Sequence, residues 1–224
     1  MNGELDLAGI DRDGAIGETR DALSRAGFLT AAGLGGVGAL MAIAEEARAA
    51  SLPAGDIDVL NYALSLEYLQ AAFYTEAERS KALKGRAALA ATQVGAVERA
   101  HVDAFRRLLG RKAIGRPRFD FQGVTEGQRS FLKTAVAFED LAVEAYKGQA
   151  PKLRSRPVLA AALGIHTVEA RHAAWMRYLH GILPAASAFD DPRPRKEIDR
   201  IVRDTGFVTS RPVMTARSRP SYAG

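Results

Sequence analysis

Two short phrases of this sequence place a glutamate three residues before a histidine. In VERAH these residues are Glu98 and His101, and in VEARH they are Glu169 and His172. Side chains three residues apart lie on the same face of a helix, so each pair can reach one common point. A carboxylate and an imidazole at such a point are typical ligands of iron, manganese or zinc. The two phrases therefore indicate two similar halves of one metal site.

A further glutamate precedes each phrase at nearly the same distance, which makes the pattern an internal repeat. Glu67 lies 31 residues before Glu98, and Glu139 lies 30 residues before Glu169. The repeat predicts that the four glutamates and the two histidines belong together. Each leading glutamate is also followed seven residues later by a tyrosine. Three interpretations of this tyrosine are open: a hydrogen-bond donor to the site, a radical-relay residue, or an ordinary core residue. These tyrosines are Tyr74 and Tyr146.

The segments that carry these residues have the pattern of four long helices. Their apolar residues recur at three- and four-residue steps without the alternation of strands, and this predicts an all-α fold. Each glutamate falls in the middle of an apolar stripe, so we expect it to face inward. Short links after the first and third helices predict two antiparallel hairpins, joined by a longer loop rich in Gly and Pro. The predicted helices span about 56–83, 86–112, 125–148 and 155–183, with a shorter helix over 194–205 outside the bundle.

Local signals mark the starts of two of these helices. Thr125 with Gln128 fits a capping box at the start of the third helix. Ser155 with Pro157 fits the start of the fourth helix.

Four inward carboxylates need a source of positive charge. Burying one ionised carboxylate without a partner costs several kcal/mol, and like charges repel more strongly in a low dielectric. No lysine or arginine falls on the four stripes near the glutamates, so internal ion pairs are not predicted. The acids either take up protons at a raised pKa or bind cations. We predict two metal ions, with iron first, manganese next and zinc still open; the alternative is a degenerate, metal-free bundle.

Four segments of the chain resemble the ferritin-like superfamily of carboxylate-bridged dimetal four-helix bundles. They are VLNYALSLEYLQAAFY, VERAHVDAFRRLLG, FEDLAVEAY and VEARHAAWMRYLHG, and the likeness spans about residues 56–208. The chain is similar in particular to bacterial ferritin-like domain proteins, often found behind twin-arginine leaders, some of them related to desiccation-associated proteins. The resemblance implies an up-down four-helix bundle with a long crossover and a short C-terminal helix. It also implies the ligand set: Glu67 and Glu139 as lone helix ligands, with Glu98/His101 and Glu169/His172 as the paired ones.

Other polar residues near the stripes are weaker candidates. His166 lies three residues before Glu169 and is considered as an extra ligand. Asn61 lies near the stripe of the first helix and is considered as a residue that orients a ligand. Asp140 and Glu144 flank the third stripe, where solvated charge is the favoured interpretation.

Composition restricts both the chemistry and the partners. The chain has no cysteine, which excludes disulfides and thiolate ligands. Residues 1–49 hold eight acidic and four basic residues, so the remainder holds 18 acidic and 27 basic ones, a net charge of +9. This excess favours a solvated basic surface, with an anionic envelope polymer as the alternative partner. No groove-reading motif is present, so nucleic acid is not predicted, and a homodimer is compatible with the pattern.

The N-terminal segment 24–50 has the order of a secretory leader. Arg25 precedes an uncharged run over 26–44, and Ala47-Arg48-Ala49 gives a small-x-small site. The Gly-rich run resembles a twin-arginine leader, although alanine follows Arg25 where that pattern has a second arginine. We expect export to the periplasm, the cell envelope or the medium, and the alternative is an N-terminal amphipathic helix on a cytoplasmic protein. The predicted domains are an extension over 1–50, a ferritin-like bundle over 51–185 and a C-terminal extension over 186–224.

These patterns favour a dimetal carboxylate protein that acts in oxygen, peroxide or metal redox chemistry. Oxidase, ferroxidase, peroxidase and catalase-like reactions all stay open, and no catalytic residue beyond the ligands is predicted. The alternative is a non-catalytic metal-binding or stress- and desiccation-associated structural protein of the envelope. A basic DNA-coating protein is a third hypothesis, which the leader pattern disfavours.

Overall fold

The computed structural model describes residues 52–210, and within this range the protein forms helices and no strand. The predicted all-α class is therefore confirmed. The predicted leader at 24–50 lies outside the described residues. None of the described helices is long and apolar enough to cross a bilayer. The helices are α1 (Ala54–Ser80), α2 (Gly85–Leu109), α3 (Gln128–Gln149), α4 (Arg156–His180) and α5 (Arg195–Asp204).

Two antiparallel hairpins form the bundle, α1 with α2 and α3 with α4. The short links 81–84 and 150–155 close these hairpins. The segment 110–127, which we call the crossover, starts at the C-terminal end of α2 and reaches the C-terminal end of α1. There the Thr125 hydroxyl donates a hydrogen bond to Glu76 (2.8 Å). Because the crossover runs the length of the bundle, α2 and α3 are parallel, as the up-down topology with a long crossover requires.

Backbone conformation ends the first two helices earlier than the sequence predicted. α1 stops at Ser80 because Lys81 adopts a left-handed conformation (φ 54°), so the predicted end at Leu83 is three residues late. α2 stops where Gly110 takes a positive φ of 53°. A glycine is the residue that tolerates this φ without steric cost, so its place in the sequence explains the second helix end.

Of the two predicted helix-start signals, one is confirmed and one is wrong. The Ser155 hydroxyl oxygen caps α4 by accepting a hydrogen bond from the Val158 N–H (3.5 Å). Thr125 does not cap α3, which begins three residues later, directly after Gly127. The hydroxyl of Thr125 bonds Glu76 instead, so a contact with α1 replaces the local capping box.

Two apolar clusters form the bundle core, with polar residues between them. One cluster includes Phe73 and Met176, and the other includes Phe105 and Ile165. On α2, α3 and α4, members of one cluster precede the predicted ligand glutamate and members of the other follow it. Burial of these side chains provides the main stabilising free energy and excludes water from both sides of mid-bundle.

The short helix α5 packs on the outside of the bundle, as predicted. Ile198 is fully buried in a cluster with Leu66 and Leu141. The guanidinium of Arg195 lies 4.6 Å above the Tyr62 ring centroid. An apolar anchor and a cation–π contact therefore attach α5 to the α1 and α3 surface.

Candidate metal centre

Each bundle helix contributes to one buried polar layer at mid-height, which we call the carboxylate layer. It holds the six residues of the repeat: four glutamates with no exposed surface and two histidines at 5% and 7% exposure. The inward stripes place one glutamate per helix, and α2 and α4 add a histidine one turn later. The members are Glu67 (α1), Glu98 and His101 (α2), Glu139 (α3), and Glu169 and His172 (α4).

His101 lies among carboxylates from three helices. Its Nδ1 is 3.2 Å from Glu67 Oε2 and 3.2 Å from Glu169 Oε1. The same nitrogen is 3.5 Å from Glu98 Oε2, one turn earlier on its own helix. The Glu-x-x-His spacing therefore brings its pair together, and the bundle adds two more carboxylates to it.

His172 has the corresponding position in the second half of the repeat. Its Nδ1 is 2.9 Å from Glu98 Oε1 and 3.5 Å from Glu139 Oε2. These atoms are close but not aligned, because His172 Nδ1, Glu98 Oε1 and Glu139 Oε2 are all buried without a hydrogen-bond partner. The donors therefore converge on a shared space and are not directed at one another.

The six residues form two overlapping groups of ligand atoms. Within each group the atoms lie within 4.8 Å of one another, which is close enough to hold one ion. Glu98 and Glu169 belong to both groups, so either carboxylate could bridge two ions. The other four are divided, with Glu67 and His101 in the first group and Glu139 and His172 in the second.

Buried polar atoms without partners show whether this layer suits metal ions. Both Glu98 oxygens and one oxygen each of Glu139 and Glu169 are buried and accept no hydrogen bond. An unsatisfied buried polar atom costs about 1–3 kcal/mol, and more when it is charged. Within residues 52–210 the four glutamates form ion pairs only with the two histidines. Divalent cations would satisfy these atoms and neutralise the carboxylates, so the residues present fit the metal ions that the sequence predicts.

Without metal ions, the layer holds protons. Burial raises the pKa of Glu67 to about 7, although His101 opposes the rise, and burial also raises the pKa of Glu169. Burial alone would lower the pKa of each histidine, but the surrounding carboxylates raise it by more. The pKa of His172 rises to about 10, and that of His101 rises well above its usual value. Burial opposes ionisation of Glu98 too, yet the two adjacent histidines lower its pKa. The metal-free histidines are therefore cationic at neutral pH, and metal binding must displace their protons.

Two buried tyrosines connect α1 and α3 across the layer. Tyr74 on α1 donates a hydrogen bond to Glu139 on α3 (2.5 Å), and Tyr146 on α3 donates one to Glu67 on α1. Burial raises the pKa of both hydroxyls, and the adjacent carboxylates raise it further, so each keeps its proton. Each tyrosine therefore bonds the glutamate of the opposite helix, and fixes one of its two oxygens.

Gln70 is a polar residue beside the layer that sequence reasoning missed. It is 2% exposed, and its Nε2 donates to Glu169 Oε2 at 3.3 Å. It lies three residues after Glu67 on the same helix face, which is the signal that could have identified it. The equivalent position of the second half, three residues after Glu139, is Ala142. The two halves of the repeat therefore differ at this point.

The weaker sequence candidates lie outside the layer. His166 is half-buried and belongs to neither ligand group. Asn61 bonds the crossover through both side-chain atoms, which reach the Lys112 carbonyl and the Ile114 N–H. The expectation that Asn61 orients a metal ligand is therefore wrong, because its amide group is hydrogen-bonded to the backbone of the crossover. Asp140 and Glu144 pair with Arg177 and Arg193.

Comparison with known protein families bears on the same four helices. A family model described as a Ferritin-like domain matches residues 55–181, more than half of the chain. The matched range runs from the start of α1 to the end of α4 and contains the whole carboxylate layer. No curated protein matches the sequence.

Proposed function

The chain belongs to the family of ferritin-like domain proteins, and from this premise we propose that its carboxylate layer binds two metal ions for redox chemistry with dioxygen, peroxide or the metal itself. The observation that carries the proposal is the set of buried carboxylate oxygens without hydrogen-bond partners. Carboxylates that converge in a low dielectric repel one another, so without metal ions the layer must hold protons to offset this repulsion.

The two ligand groups define how the ions would be held. Each ion would be held by one lone glutamate and one histidine, and Glu98 and Glu169 could serve both ions. Carboxylate and imidazole donors suit iron and manganese, and the chain has no thiolate to offer. We therefore propose iron first and manganese next.

Charge balance supports two divalent ions. The four carboxylates carry four negative charges when ionised, and two divalent cations cancel them if both imidazoles are neutral. The protons that neutralise the metal-free layer would leave at the same time. Filling the two groups would thus replace protons by two localised positive charges.

The chain's own residues supply geometry and exclude water. When bound, a pair of redox-active ions can deliver two electrons to an oxidant. The apolar clusters on both sides keep the layer dry, which strengthens every charge interaction inside it. Tyr74 and Tyr146 hold their protons on Oη against the lone glutamates, and Gln70 orients Glu169.

The closure of the layer favours a second candidate, in which the ions only stabilise the bundle of an envelope protein. The four glutamates have no exposed surface, and the histidine rings alone reach the surface. Structural metal sites are typically closed, whereas catalytic sites keep a position open to substrate. Consumption of oxidant separates the two candidates.

Metal loading followed by oxidant is the test. The full-length protein is loaded anaerobically with Fe(II), freed of excess metal, and mixed with dioxygen or peroxide in the presence of a reductant. The redox proposal predicts repeated consumption of oxidant, which Glu98→Gln abolishes and the exposed control Glu126→Gln retains. Two bound ions with no consumption above free Fe(II) would contradict redox chemistry and favour the structural candidate.

We also propose that the protein is exported. The support is the order of basic residue, apolar run and small-x-small site over 24–50, which lies outside the described residues. Fractionation of the native host with N-terminal sequencing checks this. Export with cleavage predicts an extracytoplasmic chain that begins near residue 50, and an intact chain confined to the cytoplasm would contradict it.

A further inference from the structure

A basic cleft lies at the C-terminal end of α2, outside the carboxylate layer. The last turns of α2 and the first residues of the crossover enclose about 440 Å³ there. Among the described residues, Asp103 is the one acid that lines it. We propose that this cleft binds a phosphate group. Its arginines are Arg106, Arg107 and Arg116.

Side chains of α1 hold the crossover wall of the cleft in place. Asn61 Nδ2 donates to the Lys112 carbonyl (2.9 Å), and Asn61 Oδ1 accepts from the Ile114 N–H (2.8 Å). The Tyr68 hydroxyl donates to the Ile114 carbonyl (3.3 Å). These three bonds fix the backbone two residues before Arg116. A cleft whose walls are already positioned loses less entropy when it binds a ligand.

The positive charges of Arg106 and Arg116 are not offset by an ion pair within residues 52–210. Burial raises the pKa of Tyr68 and the charges of Arg106 and Arg116 oppose that rise, so both guanidinium groups act on one hydroxyl. Neither arginine forms an ion pair with a described residue, whereas Arg177 holds Asp140 through two bonds of 2.8 and 2.7 Å. Guanidinium groups that share a cleft repel one another, and a bound anion would remove this repulsion.

The donor type favours phosphate among the anions. The stretch 106–118 contains six basic residues and no acidic one. A guanidinium group binds phosphate oxygens through two parallel N–H bonds, and arginines on opposite walls can engage different oxygens of one group. The cleft is larger than a single phosphate, so a phosphate attached to a small organic group also fits. The ligand chemistry is thus a phosphate, either free or in a lipid headgroup.

This site is independent of the metal proposal. No residue that lines the cleft belongs to the carboxylate layer. Phosphate binding is therefore expected in the metal-free and the metal-loaded protein alike, and the failure of one proposal leaves the other intact.

Charge-matched variants of the full-length chain test the site. Arg106→Gln/Arg116→Gln removes two cleft guanidinium groups, and Arg129→Gln/Arg171→Gln removes two exposed ones elsewhere. In calorimetric titrations with inorganic phosphate at constant ionic strength, we expect the cleft variant to bind about tenfold more weakly or worse. The control should stay within about twofold of wild type. Equal weakening in both variants would overturn the proposal.

A second arm distinguishes the source of the phosphate. Vesicles of phosphatidylcholine with and without phosphatidylglycerol are sedimented with each variant. Vesicle binding that needs phosphatidylglycerol and is lost only in the cleft variant assigns a lipid headgroup, and binding of inorganic phosphate alone assigns the free ion. Absence of both kinds of binding in wild type, or their full retention in the cleft variant, overturns the site. Arg116→Gln alone, in the crossover, replaces the double variant if circular dichroism shows that the latter loses helix.

Discussion

Glu98 and Glu169 differ from the other two glutamates because each belongs to both ligand groups. Glu67 and Glu139 each belong to one group, and a tyrosine from the opposite helix holds one oxygen of each. The same residue type thus has two roles, which its place in the bundle determines. The shared glutamates could therefore contact both proposed ions, whereas each lone glutamate could contact one.

Replacing a shared glutamate should remove more metal than replacing a lone one. We expect Glu98→Ala to abolish or halve the number of bound ions, because both groups lose a ligand. Glu139→Ala should retain one ion, since the first group does not contain Glu139. Elemental analysis after anaerobic loading measures both, with the exposed Glu126→Ala as the control. Unchanged metal content in Glu98→Ala would show that the ligand assignment is wrong.

Gln70 should make the two ion positions unequal. It donates to the shared carboxylate Glu169, whereas Ala142 provides no such donor for the shared carboxylate Glu98. A hydrogen bond to a charged group is worth about 1.5–3 kcal/mol, which corresponds to roughly 10- to 100-fold in one binding constant. We therefore expect two resolved steps in a calorimetric Mn(II) titration of wild type, and steps that lie closer together in Gln70→Leu. If the two titration steps are equally far apart in wild type and Gln70→Leu, Gln70 does not make the ion positions unequal.

At the scale of the helices, periodicity predicted which residues face inward but not which neighbours they meet. The stripe of α1 places Glu67 and Tyr74 inside, and both are fully buried. Tyr74 nevertheless bonds Glu139, because the packing of α1 beside α3 decides the partner. Gln70 was missed because glutamine is not a typical metal ligand, although its position three residues after Glu67 places it on the same helix face. Spacing along one chain therefore predicted the composition of the layer and left its hydrogen bonds undetermined.

The ends of the helices were less predictable than their faces. Lys81 in a left-handed conformation has no sequence signal, because glycine and asparagine are the residues usually found there. The capping box at Thr125 failed because its hydroxyl meets Glu76 across the bundle. Ser155 caps as predicted, with no competing partner for its side chain among the described residues. Local signals thus hold where tertiary contacts do not compete for the same atoms.

Asp56 connects the start of α1 to the link between α3 and α4. It is fully buried, and its two oxygens accept hydrogen bonds from the Arg154 and Ser155 N–H groups at 3.0 and 2.9 Å. Asp56→Ala leaves both donors unsatisfied, so we expect the free energy of unfolding in urea to fall by about 3 kcal/mol. Asp58→Ala breaks only an exposed ion pair with Arg195 and should lose less than about 1 kcal/mol. Equal losses of unfolding free energy in the two variants would contradict this role of Asp56.

At the scale of the whole molecule, metal ions and protons compete for the same glutamates and histidines of the carboxylate layer. In the metal-free protein the pKa of Glu67 rises from 4.5 to about 7, and that of His172 rises from 6.5 to about 10. A group with a raised folded-state pKa stabilises the fold fully below its unfolded value. These contributions are therefore lost as the pH rises through about 7 for Glu67 and about 10 for His172. The metal-free bundle should weaken steadily from mildly acidic to alkaline pH.

Metal binding should strengthen over the same range. Each proton displaced by a metal ion increases the apparent affinity by about tenfold per pH unit, up to the pKa of the group that releases it. The rise in melting temperature on adding Mn(II) without oxygen should therefore be larger at pH 9 than at pH 6. Differential scanning calorimetry of both forms at the two pH values measures it. A rise that is equal or smaller at pH 9 is inconsistent with proton displacement.

Native mass spectrometry of the full-length chain, after anaerobic loading with Fe(II) and desalting, tests the two-metal site most directly. We predict a mass increase of two ions for wild type. We predict none for Glu98→Gln/Glu169→Gln, whose amides keep the side-chain size but remove the charge that both groups share. Circular dichroism checks that the variant retains its helices. A wild-type chain without bound metal, or a double variant that still holds two ions, would contradict the central claim.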